Sequence, residues 1–284
     1  MNDHQIQVVT DSTAYIPEEA LNGLDIPTIP LWLIWGEERF RDRVDIDPDT
    51  FYRRLPGSDV FPTTSQPSAG EFERFFKEAG QGVDAILGIF ISSKLSGTVA
   101  NAQVAQGRIS DCEVRVLDSF STSAGLSFVV LAAARAAAEG KSLDDVIQVA
   151  QHVRDQTHLL FVVDTLEYLH RGGRIGGAKR LLGTALNIKP ILHLEAGAIE
   201  PVEQVRTKRR AIGRLLDIVE ERLDGKQMAE AAVLDVDASK EGDALAAQVR
   251  ERFNVSPVYR TTVSPVIGAH VGPGTVGIAF HPEL

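Results

Sequence analysis

Residues 85–91, Ala-Ile-Leu-Gly-Ile-Phe-Ile, carry no polar side chain, whereas five of the next seven residues do. An apolar run this short, bounded by a polar turn, predicts a strand, and its unbroken character predicts cover on both faces, as in parallel sheets. An amphipathic stretch over 98–107 follows directly. The same order recurs along the chain. Strands are expected at 5–9, 113–117, 159–163 and 231–236, and helices at 18–24, 69–78, 121–139, 143–156, 206–223 and 240–253. Strands alternating with amphipathic helices make an α/β protein with crossover connections. Ser142 with Asp145 three residues on reads as the cap of one helix and carries no chemistry.

The chain of 284 residues is about twice the common domain size. Beyond about residue 157 its character changes: Gly172, Gly173, Gly176 and Gly177 cluster, and a hairpin-like segment runs over 191–202. Two α/β lobes are therefore expected, an N-terminal one over 1–156 and a C-terminal one over 157–284. No Pro/Ser-rich linker separates them, so they should pack together and leave a cleft, which is where ligands bind.

Charge and cysteine usage remove several function classes. The formal charge of −10, from 29 basic and 39 acidic side chains, disfavours a coat for nucleic acid or anionic membrane. Cys112 is the only cysteine, so neither an intrachain disulfide nor a cysteine metal cage can form, which fits a reducing, cytoplasmic setting. Residues 1–7 are polar and predict no secretory signal, and the longest apolar windows, 28–35 and 128–138, are too short to span a bilayer. The seven histidines are scattered, His152 and His158 falling on different helix faces, and predict no metal site. There is no P-loop sequence. Residues 272–277 match G-x-G-x-x-G, but only seven residues follow, so the glycines are read as a turn into a last strand at 276–280. No cofactor is expected.

Three hydroxyl-rich loops remain. Thr10, Asp11, Ser12 and Thr13 follow the first strand and are read first as an Asx-turn and cap, with ligand binding at the strand end as the alternative. Residues 63–68, Thr-Thr-Ser-Gln-Pro-Ser, are read as a loop ahead of a capped helix, and residues 92–98 repeat that arrangement with Gly97 permitting close backbone approach. Neutral hydroxyls beside helix amides suit a carboxylate. A hydrolase reading would make Ser96 a nucleophile, His270 its base and Asp118 the orienting acid. However, Lys94 and Thr98 occupy the places where a nucleophile elbow has glycine. Arg171, Arg174, Arg206, Lys208, Arg209 and Arg210 form basic runs in an acidic chain, a solvated face or a patch for a phosphate or an acidic partner surface.

Several segments together resemble the DegV family. They are Val9-Thr10-Asp11-Ser12-Thr13, Thr64-Ser65-Gln66-Pro67-Ser68, Leu95-Ser96-Gly97-Thr98, Gly173-Arg174-Ile175, Lys189-Pro190-Ile191, Val205-Arg206-Thr207-Lys208 with Arg210 and Ala211, and Gly268-Ala269-His270-Val271-Gly272. The resemblance implies two α/β lobes with one long-chain fatty acid in a tunnel between them. It also implies a role as the non-catalytic binding subunit of a fatty acid kinase whose catalytic subunit is a separate protein. Thr64 and Ser96 would bind the carboxylate with the Gly97 amide and His270 nearby, and Arg174 and Arg206 would face the kinase. An esterase or other acyl-transfer enzyme using Ser96 and His270 is the alternative.

Overall fold

The structure, a computed structural model, describes residues 5–183 and 188–283. In the first half, β1 (Ile6–Asp11), β2 (Thr28–Ile29), β6 (Ala85–Phe90) and β7 (Glu113–Asp118) form a parallel sheet in the order β2-β1-β6-β7. All six residues of β6 are buried, as the run over 85–91 requires. Between β2 and β6 the chain makes a small antiparallel sheet of β3 (Trp32–Trp35), β4 (Glu38–Arg41) and β5 (Thr63–Ser65), with α2 (Pro48–Arg54) before β5. Sequence reading placed residues 63–65 in a loop. They are too short and too polar to show a strand's pattern, and their extended form comes from pairing with β3, where Thr64 lies opposite Leu33.

The remaining helices of this half are α1 (Glu18–Leu21), α3 (Ala69–Ala79), α4 (Thr98–Gln106), α5 (Ser123–Ala138) and α6 (Leu143–Gln156). Ser68 caps α3 through a reciprocal capping box with Glu71. Twelve of the sixteen residues of α5 are buried. A helix apolar all round belongs inside, and α5 sits between the sheets, touching β1 and β6 on one side and β8, β11 and β13 on the other.

The second half begins where α6 ends at Gln156. It comprises β8 (His158–Val162), α7 (Glu167–Arg171), β9 (Lys189–Glu195), β10 (Ala198–Val205), α8 (Lys208–Leu223), β11 (Met228–Asp235), α9 (Ser239–Phe253), β12 (Val258–Thr262), α10 (Pro265–Val271) and β13 (Val276–Pro282). The sheet order is β10-β9-β8-β13-β11-β12, and only β11 and β12 run parallel. The apolar runs at 159–163 and 231–236 thus belong to a mainly antiparallel sheet, contrary to the parallel expectation. Their burial on both faces arises because α5 and α6 cover one side and α8 and α9 the other. A continuous apolar run reports cover on both faces and is silent about strand direction. The halves share one core, in which Leu33, Phe51 and Phe128 meet Phe161, Leu192 and Leu234. Among the described residues no helix is long and apolar enough to cross a membrane.

Candidate functional site

The shared core is incomplete. Between the halves lies a concave cavity to which both contribute lining residues, the kind of place where small molecules bind. Its walls are mostly aliphatic, from Leu31 and Ile91 in the first half through Leu159, Phe161, Leu194 and Ile199 to Val263 and Ile267 in the second. Into this apolar space project Thr64, Gln66, Ser96, Arg174 and His270.

Each of these arrives on a different element. Thr64 is held on β5, and its Oγ1 lies 2.8 Å from His270 Nε2, which α10 brings from the far half of the chain. Ser96 ends the turn after β6, its N–H donating to the Ser92 carbonyl, and its Oγ lies 2.8 Å from Thr98 Oγ1. Gly97 is the N-cap of α4, and a Cβ there would stand 2.9 Å from Gln66 Nε2, so glycine lets the β5 loop close against the start of α4. Gly172 does the same for the imidazole: a Cβ would come within 2.1 Å of His270 Nδ1. That Nδ1 is buried and has no hydrogen-bond partner among the described residues. Burial first, and the Arg174 charge second, push the His270 pKa down to about 4, so the ring is neutral at pH 7.

The hydrolase geometry is not assembled. Ser96 is engaged with Thr98, His270 with Thr64, and Asp118 accepts hydrogen bonds from the backbone N–H groups of Ser93 and Phe120 rather than orienting an imidazole. No cluster of three or more metal-ligating side chains occurs among the described residues.

The two arginines expected on a partner-facing surface have different surroundings. Arg174 lines the cavity and is partly buried, its Nε donating to the Leu95 carbonyl at 3.0 Å and its Nη1 to the Gly172 carbonyl at 2.7 Å. Arg206 is exposed in the bend between β10 and α8, and the helix itself begins at Lys208 with Thr207 as its cap. Sequence reasoning did not assign Gln66 or Thr98 a place at the site, although both stand inside the quoted motifs. Nothing local to Gln66 signals that it meets Gly97 of another segment, whereas Thr98 meets Ser96 only two positions before it.

Of the other hydroxyl loop, the capping alternative describes what is seen. Asp11 caps a short 3-10 turn (Ser12–Ala14), accepting from the Thr13 N–H and hydroxyl and from the Ile91 N–H, and Thr10 to Thr13 are fully buried outside the cavity lining.

Comparison with known proteins agrees with this architecture. A family model described as "Uncharacterised protein, DegV family" matches residues 5–283. Protein DegV of Bacillus subtilis is 33% identical over 276 residues, covering 97% of this chain and 98% of its own, and a DegV domain-containing protein of Streptomyces coelicolor is 38% identical over 275 residues, covering 96% and 97%. Among solved structures, a DegV family protein from Thermus thermophilus described for its fatty acid binding superposes with a TM-score of 0.93 at 34% identity, covering 98% of this chain and 100% of its own. DegV from Bacillus subtilis, described as a fatty acid binding protein, superposes at 0.90 with 33% identity, covering 99% and 100%. The mixed α/β architecture, the order of the motifs along the sequence and these whole-length matches establish that the chain belongs to the DegV family.

Proposed function

We propose that this protein binds one long-chain fatty acid in the cavity between its halves and presents the carboxylate to a separate kinase, without bond-making chemistry of its own. The observation that carries the reading is an aliphatic cavity whose polar cluster includes neutral hydroxyls and a neutral imidazole. The fatty-acid binding described for the relatives from Thermus thermophilus and Bacillus subtilis supports it.

Each clamp hydroxyl has a second polar group within hydrogen-bond distance. If His270 carries its proton on Nε2, Thr64 accepts from it and is free to donate forward; if Thr98 donates to Ser96, Ser96 is free likewise. In that tautomer the orphaned Nδ1 is an acceptor, less costly to leave bare than a donor. Two forward-pointing O–H groups can then share one carboxylate. Such neutral donors hold the anion without neutralising it, and so leave its oxygen nucleophilic for phosphoryl transfer. Arg174 spends its Nε and Nη1 on backbone carbonyls. Arg206, exposed with Arg209 and Arg210 at the start of α8, is the proposed contact for the kinase.

Native mass spectrometry of protein expressed in bacteria, followed by solvent extraction, tests the ligand: about one fatty acid per chain is expected, since each buried methylene contributes roughly 0.8 kcal/mol. Protein that binds no fatty acid on titration would overturn the reading.

A further inference from the structure

The cavity has polar groups that the carboxylate clamp does not use. Thr122 and Ser123, at the start of α5, both line it. They are 7% and 3% exposed, yet neither Thr122 Oγ1 nor Ser123 Oγ has a hydrogen-bond partner among the described residues. Their neighbours behave differently. Ser119 Oγ donates to the Ser121 carbonyl at 3.1 Å, and Ser127 Oγ donates to the Ala124 carbonyl at 2.7 Å. The Ser119 and Ser127 hydroxyls are satisfied locally, and those of the two cavity-lining residues are not. A buried hydroxyl left unpaired is costly, so a bare pair asks what they are for.

The helix adds to the demand. Thr122 is the N-cap of α5 but makes no side-chain cap hydrogen bond, so the first N–H groups of a sixteen-residue helix, which have no intrahelical acceptor, lack that usual partner as well. Two O–H donors and a helix N-terminus with its positive dipole end together suit an oxygen acceptor. Leu159 and Phe161 of β8, on the same cavity wall, carry no acceptor in their side chains. No hydrogen bond joins Thr122 or Ser123 to Thr64, Ser96 or His270 among the described residues. Backbone contacts nonetheless keep the two places close: the Ser92 carbonyl accepts from Ser96 N–H, and Ser92 N–H donates to the Ser121 carbonyl.

We propose that Thr122 and Ser123 form a second polar subsite, which takes an oxygen substituent, hydroxyl or keto, on the acyl chain a few carbons from its carboxylate. The inference rests on the fatty-acid reading and deepens it to the ligand class: an oxygenated fatty acid is preferred over its unsubstituted parent. A plain chain would lay methylenes against two bare hydroxyls.

The test uses the full chain and a competition assay with hexadecanoic acid and its monohydroxy and monoketo isomers, scanned outward from carbon 2. One position is expected to bind wild type about tenfold more tightly than the other positions, one bidentate contact's worth of discrimination. That preference should collapse in Thr122→Val and in Ser123→Ala. The melting temperature of delipidated Thr122→Val should not fall, because no protein hydrogen bond is lost. Equal discrimination by wild type and both variants, or a substantially lower melting temperature for Thr122→Val, overturns the subsite. If hexadecanoic acid itself fails to bind, the proposed function fails; if it binds with no positional preference, the subsite alone fails.

Discussion

Three hydroxyl-rich segments look alike in sequence and divide between two opposite fates in space. In Thr10-Asp11-Ser12-Thr13 every side chain is closed on the protein: Thr10 donates to the Ile89 carbonyl, Thr13 to Asp11, Ser12 to Asp42, and Asp11 also gathers the Ile91 N–H. In the two segments holding Thr64, on β5, and Ser96, in the turn after β6, the hydroxyls line a cavity with one polar neighbour each, leaving capacity for a ligand. The first segment is a hub that ties β1, β6 and the β3–β4 region together; the other two make up the proposed clamp. Composition cannot separate a hub from a clamp. What does so is whether another part of the protein supplies the partner.

The comparison predicts different failures. Asp11→Ala removes the acceptor of three buried donors and should cost about 3 kcal/mol or more of stability in urea denaturation, at 1–3 kcal/mol per orphaned group. A variant as stable as wild type would deny the hub.

His270 belongs to the clamp by contact and to the hub by burial. An unfolded imidazole titrates near 6.5 and the folded one at about 4, so between those pH values the unfolded chain holds more protons. Stability is therefore fully present above about pH 6.5 and is lost as pH falls toward 4, by up to roughly 3 kcal/mol at 1.36 kcal/mol per unit. His158, pushed down to about 4 by its own burial and by Arg222, contributes a similar loss. Asp42, raised to about 7 by burial, acts in the opposite sense, so the His270 contribution is read as the difference between the wild-type and His270→Gln pH profiles; identical profiles would show that the ring is not held neutral.

For the clamp itself, Thr64→Val or Ser96→Ala should weaken fatty-acid affinity by roughly 1.5–3 kcal/mol, ten- to a hundredfold, while moving stability far less than Asp11→Ala does. The double variant should lose less than the sum, because both donors serve one head group. A nucleophile at Ser96 would behave otherwise, with ester turnover lost in Ser96→Ala and little changed in Thr64→Val.

The smallest effects separate the two arginines. Arg174→Ala should lower stability by about 1–2 kcal/mol through its two carbonyl contacts and let the His270 pKa rise, a shift readable by NMR. Arg206→Ala, exposed, should change stability by no more than about 0.5 kcal/mol and leave fatty-acid affinity alone, while slowing use by a kinase partner. Lost fatty-acid affinity in Arg206→Ala would move that residue to the ligand site.

Much of this was legible in the chain before folding was considered. The fully buried β6 followed by α4, the amphipathic α3, α6, α8 and α9, and the Ser142 cap follow from local pattern, because burial period and cap chemistry are written in adjacent residues. The family follows from motifs in order along the sequence. Strand direction in the second half, the pairing of β5, the joining of Thr64 to His270 across 206 positions, and the bare hydroxyls of Thr122 and Ser123 were decided only by tertiary structure. Each depends on a partner that arrives from a distant element, and the energy of a polar group is set by that partner rather than by the group's own neighbours in sequence.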